Sequence, residues 1–375
     1  MQDQYWMQHA LALAREGVGL ASPNPTVGCV LVRDGAIVGQ GFHRYTDRDH
    51  AEIVALKEAG PNAQGATAYV TLEPCSHHGR TGPCAPALLN AGVTRVLAAT
   101  VDPNPAVAGR GLALLRDNGV RVEIGVREAE ARELNDAFAH YIRHRTPFVS
   151  LKIAATLDGA IAPPAGTHCE RASFPITGAA AHARVHELRH AHDALITGIG
   201  TVLADDPLLT DRSGRPRRRP LLRVVLDSQL RLPLDSRILQ DIQDDLLIVT
   251  RNTDGTKHNA LIARGARILP VEAQGQGGIS LRALLDYLGS QEITSVLIEG
   301  GARLNHSALA GDVVHKLYLF QAPRFLGPDA VPILAGEPVS ALPQLLRYRT
   351  EPLEDDLLIE GYLHDPWQPV EGVGQ

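Results

Sequence analysis

LEPCSHHGRTGPC, residues 72–84, places two cysteines and two histidines within thirteen residues. Three readings compete for such a stretch: a disulfide, a compact structural metal knot, or part of a catalytic metal site completed from elsewhere in the chain. Four cysteines in 375 residues do not make the disulfide scaffold of a small secreted domain. Cys29 lies in the strand-like run TVGCVLV and reads as a small buried apolar residue. Cys169 lies in a loop without an obvious partner, which leaves Cys75 and Cys84.

Around this stretch the chain alternates helical and strand patterns. Residues 4–16 read as a helix. TVGCVLV and AIVGQGF flank the turn RDG, a hairpin signal. HAEIVALKEAG reads as a helix stopped by glycine, ATAYVTL as a strand and CAPALLNAG as a second glycine-stopped helix. VTRVLAATV, GLALLRDNG and VRVEIGV continue as strand, helix and strand, and REAEARELNDAFAHYIRHR as one long helix broken at Thr146-Pro147. This order predicts a three-layer α/β/α domain over residues 1–145. A second α/β block starts at PFVSLKIAATLDG. Its strand candidates are HDALITGI, LLRVVLD, DLLIVT, ARILPV, SVLIEG and HKLYLF, with helices near 178–190, 257–264, 280–290 and 302–310. That mixture predicts a mostly parallel sheet covered on both faces, over residues 147–370. Residues 163–175 read as an irregular loop.

Upstream of the opening stretch stands DHAE at 49–52. The combination H-x-E, a strand, P-C and a later C resembles the zinc-dependent nucleobase deaminases, and so implies a cytidine-deaminase-like fold. A catalytic zinc takes three protein ligands and keeps a fourth place for water, whose pKa it lowers towards ~7. The resemblance implies His50, Cys75 and Cys84 as ligands of one zinc per chain, with Glu52 as the proton carrier. A knot of Cys75, His77 and Cys84 leaves His50 and Glu52 without a role. Eight residues separate the cysteines, against two in the common signature. The insert SHHGRTGP is similar to that of the riboflavin-biosynthesis deaminases, as are PNPTVGCV at 23–30, GFH at 41–43 and DPNPAVAGRG at 102–111. Asp47 and Gly82 depart from that pattern, where the family often has glycine and proline. The resemblance implies a diaminopyrimidinone ribosylamino 5′-phosphate as substrate, bound by Asn24, His43, His77, Arg80, Asp102 and Asn104. Asn24 and Asn104 also stand beside prolines, where an asparagine serves a turn equally well.

The second block resembles the reductase fused to this deaminase in bacteria, a dihydrofolate-reductase-like α/β domain. The matching runs are LKIAATLDG at 151–159, ITG at 176–178, GTVLADDPLLTDR at 200–212, RVVLDS at 223–228 and LIEGGARLN at 297–305. The resemblance implies NADPH, with Ala154, Pro175, Thr201, Asp205, Ser228, Gly300 and Gly301 at the cofactor. It implies Ser173, Arg189, Leu209, Arg212 and Glu299 at the substrate, Arg189 and Arg212 gripping its phosphate. Lys152 and Asp205 are the charged groups considered for proton delivery. Pro175 stands where the family commonly has tryptophan, and Phe174 is its possible substitute. From the residues alone, the strand–Gly–Gly–helix run VLIEGGARL is the strongest cofactor signal.

Composition narrows the functions further. Net charge is −6 and aromatics make up 4%, against the basic, aromatic-bearing face of a nucleic-acid binder. The run RPRRRP at 215–220 is the exception, and reads as a solvated loop. No run approaches the ~20 apolar residues of a membrane span, and MQDQYWMQHALALARE lacks the features of a signal peptide. The expectation is a cytoplasmic bifunctional enzyme: a zinc-dependent hydrolase joined to an NADPH-dependent oxidoreductase, forming a homo-oligomer by family analogy. Two other readings are a deaminase carrying a non-catalytic scaffold domain and a nucleic-acid-editing deaminase.

Overall fold

The computed structural model describes residues 1–77, 82–164, 174–253, 255–271, 278–338 and 343–368. The chain divides into two compact units. The first is Met1–Arg145 with Pro216–Arg218 and Pro366–Gln375; the second is Thr146–Arg215 with Arg219–Asp365. The expected end of the second domain at residue 370 lies beyond Asp365, where the second unit stops.

In the first unit α1 (Gln2–Glu16) precedes the hairpin β1 (Gly28–Arg33) and β2 (Ala36–Phe42). Asp34 and Gly35 form its two-residue turn, with φ of 53° and 75°, the left-handed pair that a type I′ turn requires. Then follow α2 (Ala51–Ala59), β3 (Thr67–Val70), α3 (Cys84–Asn90), β4 (Arg95–Ala98), α4 (Arg110–Asp117), β5 (Arg121–Ile124), α5 (Glu128–Leu134) and α6 (Asp136–His144). The sheet runs β2-β1-β3-β4-β5. β1 pairs antiparallel with both neighbours, whereas β3, β4 and β5 are parallel. Ala51, Ala55, Ala59, Ala85 and Leu88 bury one face of the sheet, and Met7, Ala10, Leu11 and Ala131 the other, which gives the expected three layers. The helix α2 lies very close to the sheet: a Cβ on Gly39 would stand 2.2 Å from the Ala55 carbonyl oxygen.

The single long helix expected before Arg145 is two helices. The break falls at Asn135, whose side chain accepts from Thr26 N at 2.8 Å and donates to Thr26 O at 3.0 Å. Two hydrogen bonds to an extended backbone 109 residues away outweigh continuation of a helix, which asparagine favours little.

The second unit contains β6 (Phe148–Thr156), β7 (Ala160–Ala162), α7 (Ala179–Ala191), β8 (Ala194–Gly198), α8 (Ile199–Asp205), β9 (Leu222–Leu226), β10 (Leu246–Thr250) and α9 (Gly255–Ala263). It continues with β11 (Arg267–Pro270), α10 (Leu281–Ser290), β12 (Ser295–Glu299), α11 (Ala302–Ala310), β13 (Lys316–Ala322), β14 (Val331–Pro332), β15 (Arg347–Leu353) and β16 (Asp356–Tyr362). The main sheet has the order β11-β10-β9-β8-β12-β6-β13-β16-β15. It is parallel from β11 to β13, and β16 and β15 add antiparallel. The central strand β12 is buried throughout. Val296 and Ile298 face the cluster of α10 and α11, while Leu297 faces that of α7. Helices therefore cover both faces, as a parallel sheet requires. The edge strand β15 is almost wholly exposed.

Candidate active sites

Two chemically distinct sites emerge, one in each unit. In the first, His50 is the N-cap residue of α2, Glu52 lies in its first turn, and Cys84 opens α3. Cys75 lies on the loop that follows β3. Its carbonyl accepts from Ala85 N at 3.0 Å, and its sulfur accepts from Cys84 N at 3.3 Å. These bonds fold the loop back against the start of α3. His50 Nδ1 stands 3.5 Å from the sulfur of Cys75 and 3.3 Å from that of Cys84. The donor set answers the question of metal fit. Zinc–nitrogen and zinc–sulfur bonds of ~2.0–2.1 and ~2.3 Å at a tetrahedral angle span about 3.6 Å, close to both separations. Among the described residues this is the one cluster of His, Cys, Asp and Glu donors with metal-binding spacing.

The electrostatics suit a cation. The Cys84 thiol and His50 support a thiolate on Cys75, holding its pKa well below the ordinary thiol range. The hydrogen bond to Cys75 in turn raises His50. Glu52 is buried at 3% exposure, and burial pushes its carboxyl up to about 7. His77 is exposed and outside the cluster. His78 and Arg80 lie outside the described residues.

Asn24 and His43 pair through Asn24 Nδ2 and His43 Nε2 at 3.0 Å, and His43 Nδ1 meets the Asp49 carbonyl at 2.8 Å. The carbonyl can only accept, so Nδ1 carries the proton and Nε2 accepts from Asn24. Burial keeps this imidazole neutral by lowering its pKa. Asp102 accepts from Asn104 N at 2.8 Å, and Asn104 Oδ1 accepts from Ala106 N at 3.0 Å. The turn role of Asn104 is thus real, and it occupies only one end of the amide. Burial raises the Asp102 carboxyl to about 6, and the neighbouring Glu73 and Cys75 charges push the same way.

In the second unit a cavity of about 820 Å³ opens beside β6 and the β12–α11 junction. Ala154, Pro175, Thr201, Asp205, Gly300 and Gly301 line it, as do Arg189, Leu209, Arg212 and Glu299. A Cβ on Gly301 would sit 3.9 Å from Thr201 Oγ1, so the two residues stand on neighbouring parts of the same wall. Phe174 lines the cavity beside Pro175, where it can supply an aromatic surface. Ser228 follows β9 and is absent from the described lining residues. Ser173 lies outside the described residues.

Arg189 lines the cavity and also pairs with Glu299. Its guanidinium makes a two-pronged bond to Glu299, at 2.7 and 2.9 Å, and a third to Thr210 O at 3.2 Å. These bonds fix the orientation of the Glu299 carboxylate. Burial alone would raise Glu299, but the Arg189 charge and hydrogen bonds outweigh it and bring the carboxyl down to about 2. Lys152 also lines the cavity, and burial lowers its pKa. His182 and His186 on α7 are residues that motif reading missed. Their spacing with Arg189, i, i+4 and i+7, marks one helix face and was the available signal. Burial and the neighbouring cations lower both imidazoles.

Comparison with known proteins bears on both sites. Residues 1–100 match the model for the cytidine and deoxycytidylate deaminase zinc-binding region, and residues 147–359 match the RibD C-terminal domain. The chain is 40% identical over 371 residues to the riboflavin biosynthesis protein RibD of Actinobacillus pleuropneumoniae, covering 98% of this chain and 96% of the relative. It is 42% identical over 341 residues to that of Escherichia coli (strain K12), covering 88% and 90%. Among solved structures, RibD of Acinetobacter baumannii (form 1) superposes with a TM-score of 0.81 at 39% identity, over 96% of this chain and 98% of the other. A diaminohydroxyphosphoribosylaminopyrimidine deaminase/5-amino-6-(5-phosphoribosylamino)uracil reductase from Thermotoga maritima gives 0.82 at 32% identity, again over 96% and 98%.

Proposed function

This chain belongs to the RibD family, the bifunctional deaminase/reductases of riboflavin biosynthesis, and from that premise we propose which of its residues carry each reaction. Residues 1–145 deaminate a diaminopyrimidinone bearing a ribosylamino 5′-phosphate. Residues 147–370 reduce the ribosyl side chain of the product to ribityl. His50, Cys75 and Cys84 hold zinc, which when bound supplies the Lewis acidity that makes water a nucleophile at neutral pH. Glu52 takes a proton from the attacking water and gives it to a ring nitrogen. It then takes the hydroxyl proton of the tetrahedral adduct and gives it to the departing amino group, which leaves as ammonia. Its burial suits the task, since a carboxyl poised near neutrality both takes and gives protons. Asn24, His43, Asp102 and Asn104 orient the pyrimidine, with His77 and Arg80 completing the pocket by family analogy.

In the reductase half NADPH, when bound, supplies the hydride. Ala154, Pro175, Thr201, Asp205, Gly300 and Gly301 form its bed, with Ser228 retained on family grounds alone. Arg189, Leu209, Arg212 and Glu299 contact the substrate, Arg189 and Arg212 gripping its phosphate, with Ser173 by analogy. Arg189 also orients Glu299, and Lys152 and Asp205 are the candidate proton donors. A cytoplasmic homo-oligomer belongs to the same reading. The exposed edge strand β15, with Tyr348 at 69% exposure, supports the oligomer, and light scattering should give a mass above the 40.3 kDa of one chain.

The observation that carries the proposal is the meeting of one imidazole and two thiols from three separate segments beside a buried carboxylate. Metal analysis of the wild type and Cys84→Ser tests it. One zinc per chain is expected in the first, with loss of both zinc and ammonia release in the second. Full zinc content in Cys84→Ser would refute the ligand set.

A further inference from the structure

We propose that Glu73 is a positioning residue of the deaminase centre, locking the loop that carries Cys75 to the loop that carries Asp102 and Asn104. The proposal rests on the reading of those two residues as pyrimidine contacts. Glu73 is 3% exposed, yet it makes no ion pair among the described residues. Its carboxylate accepts instead from four backbone amides. Oε2 takes Gly109 N at 2.8 Å and Asp102 N at 3.2 Å; Oε1 takes Gly111 N at 2.9 Å and Leu112 N at 3.4 Å. A buried carboxylate is costly unless its lone pairs are filled, and here every one of the four donors comes from residues 102–112. The start of α4 adds its partial positive charge.

The seam is closed sterically as well. Gly111 has no room for a side chain: a Cβ there would lie 1.8 Å from the Pro74 carbonyl oxygen. Gly109 supports the same turn with φ of 78°, a conformation that costs glycine little. The chain therefore runs Glu73, Pro74, Cys75 on one side and Asp102 to Gly111 on the other, with no slack between them. Any change at Glu73 alters the spacing between a metal ligand and the groups that hold the ring. Displacements of about 1 Å from productive geometry cost about 100-fold in rate.

Steady-state deaminase kinetics on the full-length zinc-loaded enzyme test this, with the chain's own NADPH oxidation on the deaminated intermediate as the folding control. Glu73→Gln replaces one acceptor oxygen with an NH2 group that confronts two backbone donors. Its zinc content and NADPH oxidation should match the wild type, while kcat/KM for ammonia release falls about 10–100-fold. Gly111→Ala should reproduce that pattern with Glu73 intact. Combining Glu73→Gln with Asn104→Ala should cost far less than the product of the single losses, because both act through one loop. Strictly multiplicative losses, zinc loss in step with activity, or equal loss of both activities in both variants would each overturn the proposal. If Asn104→Ala alone leaves deamination intact, the pocket reading fails and takes the proposal with it. If Asn104→Ala is impaired and Glu73→Gln is not, the proposal alone fails.

Discussion

At the scale of single residues, the sharpest division of labour is the one proposed between Glu52 as proton carrier and His50, Cys75 and Cys84 as zinc ligands. Glu52→Gln should retain zinc and lose ammonia release by about 100- to 10,000-fold, since it removes proton transfer alone; metal analysis beside an ammonia assay checks both halves. Glu299→Ala leaves the Arg189 guanidinium buried without its counter-charge. A cost of about 3–5 kcal/mol is expected, read as a lower denaturation midpoint of the second unit. The meeting of His50, Cys75 and Cys84 was legible in the sequence through the H-x-E and P-C pattern of the resemblance. The commitment of Arg189 to Glu299 was not. The two stand 110 residues apart, and nothing local announces that pairing. The role of Glu73 was hidden for a similar reason: its partners are backbone amides, which every residue but proline carries.

At the scale of elements, the break between α5 and α6 depends on Asn135. Asn135→Ala removes both bonds to Thr26 and leaves a part-buried amide and carbonyl to find water, which should destabilise the first unit by about 1–2 kcal/mol; urea titration measures it. The helical periodicity of residues 127–145 continues across this point, so the sequence pattern reads as one helix and only the tertiary partner divides it. Most other elements were legible because glycines end the helices and the parallel strands are continuous apolar runs. The hairpin of β15 and β16 was missed because RYRTEPL in β15 is exposed and polar, without the alternation that announces a half-buried strand. The helix α8 was missed because its seven residues, IGTVLAD, read as equally good strand.

At the scale of the whole molecule, the two chemistries draw on different chemical resources. A chelator should abolish ammonia release while leaving NADPH oxidation on the deaminated intermediate unchanged, as parallel assays on one sample would show. Acid should act on the second unit through Glu299. Its carboxyl titrates lower in the folded state, at about 2, than in an unfolded chain, at ~4.3. The unfolded state therefore binds the proton first, and the stabilisation is complete above ~4.3. It is lost as pH falls towards about 2, with a slope of ~1.4 kcal/mol per pH unit. Denaturation midpoints of the wild type and Glu299→Gln should differ at neutral pH and converge near pH 2. The two-domain plan was legible from Thr146-Pro147 onwards. The grouping of Pro216–Arg218 and Pro366–Gln375 with the first unit was not, since short segments carry no periodicity to assign them.

The alanine layer of α2 against Gly39 has a consequence for engineering. A core built from the smallest side chains has almost nothing to truncate and nowhere to grow, so libraries that seek heat tolerance by filling internal voids will gain little around α2. Improvement is better sought under α10, where Leu281, Leu284, Leu285 and Leu288 offer branched volume that can be reshaped.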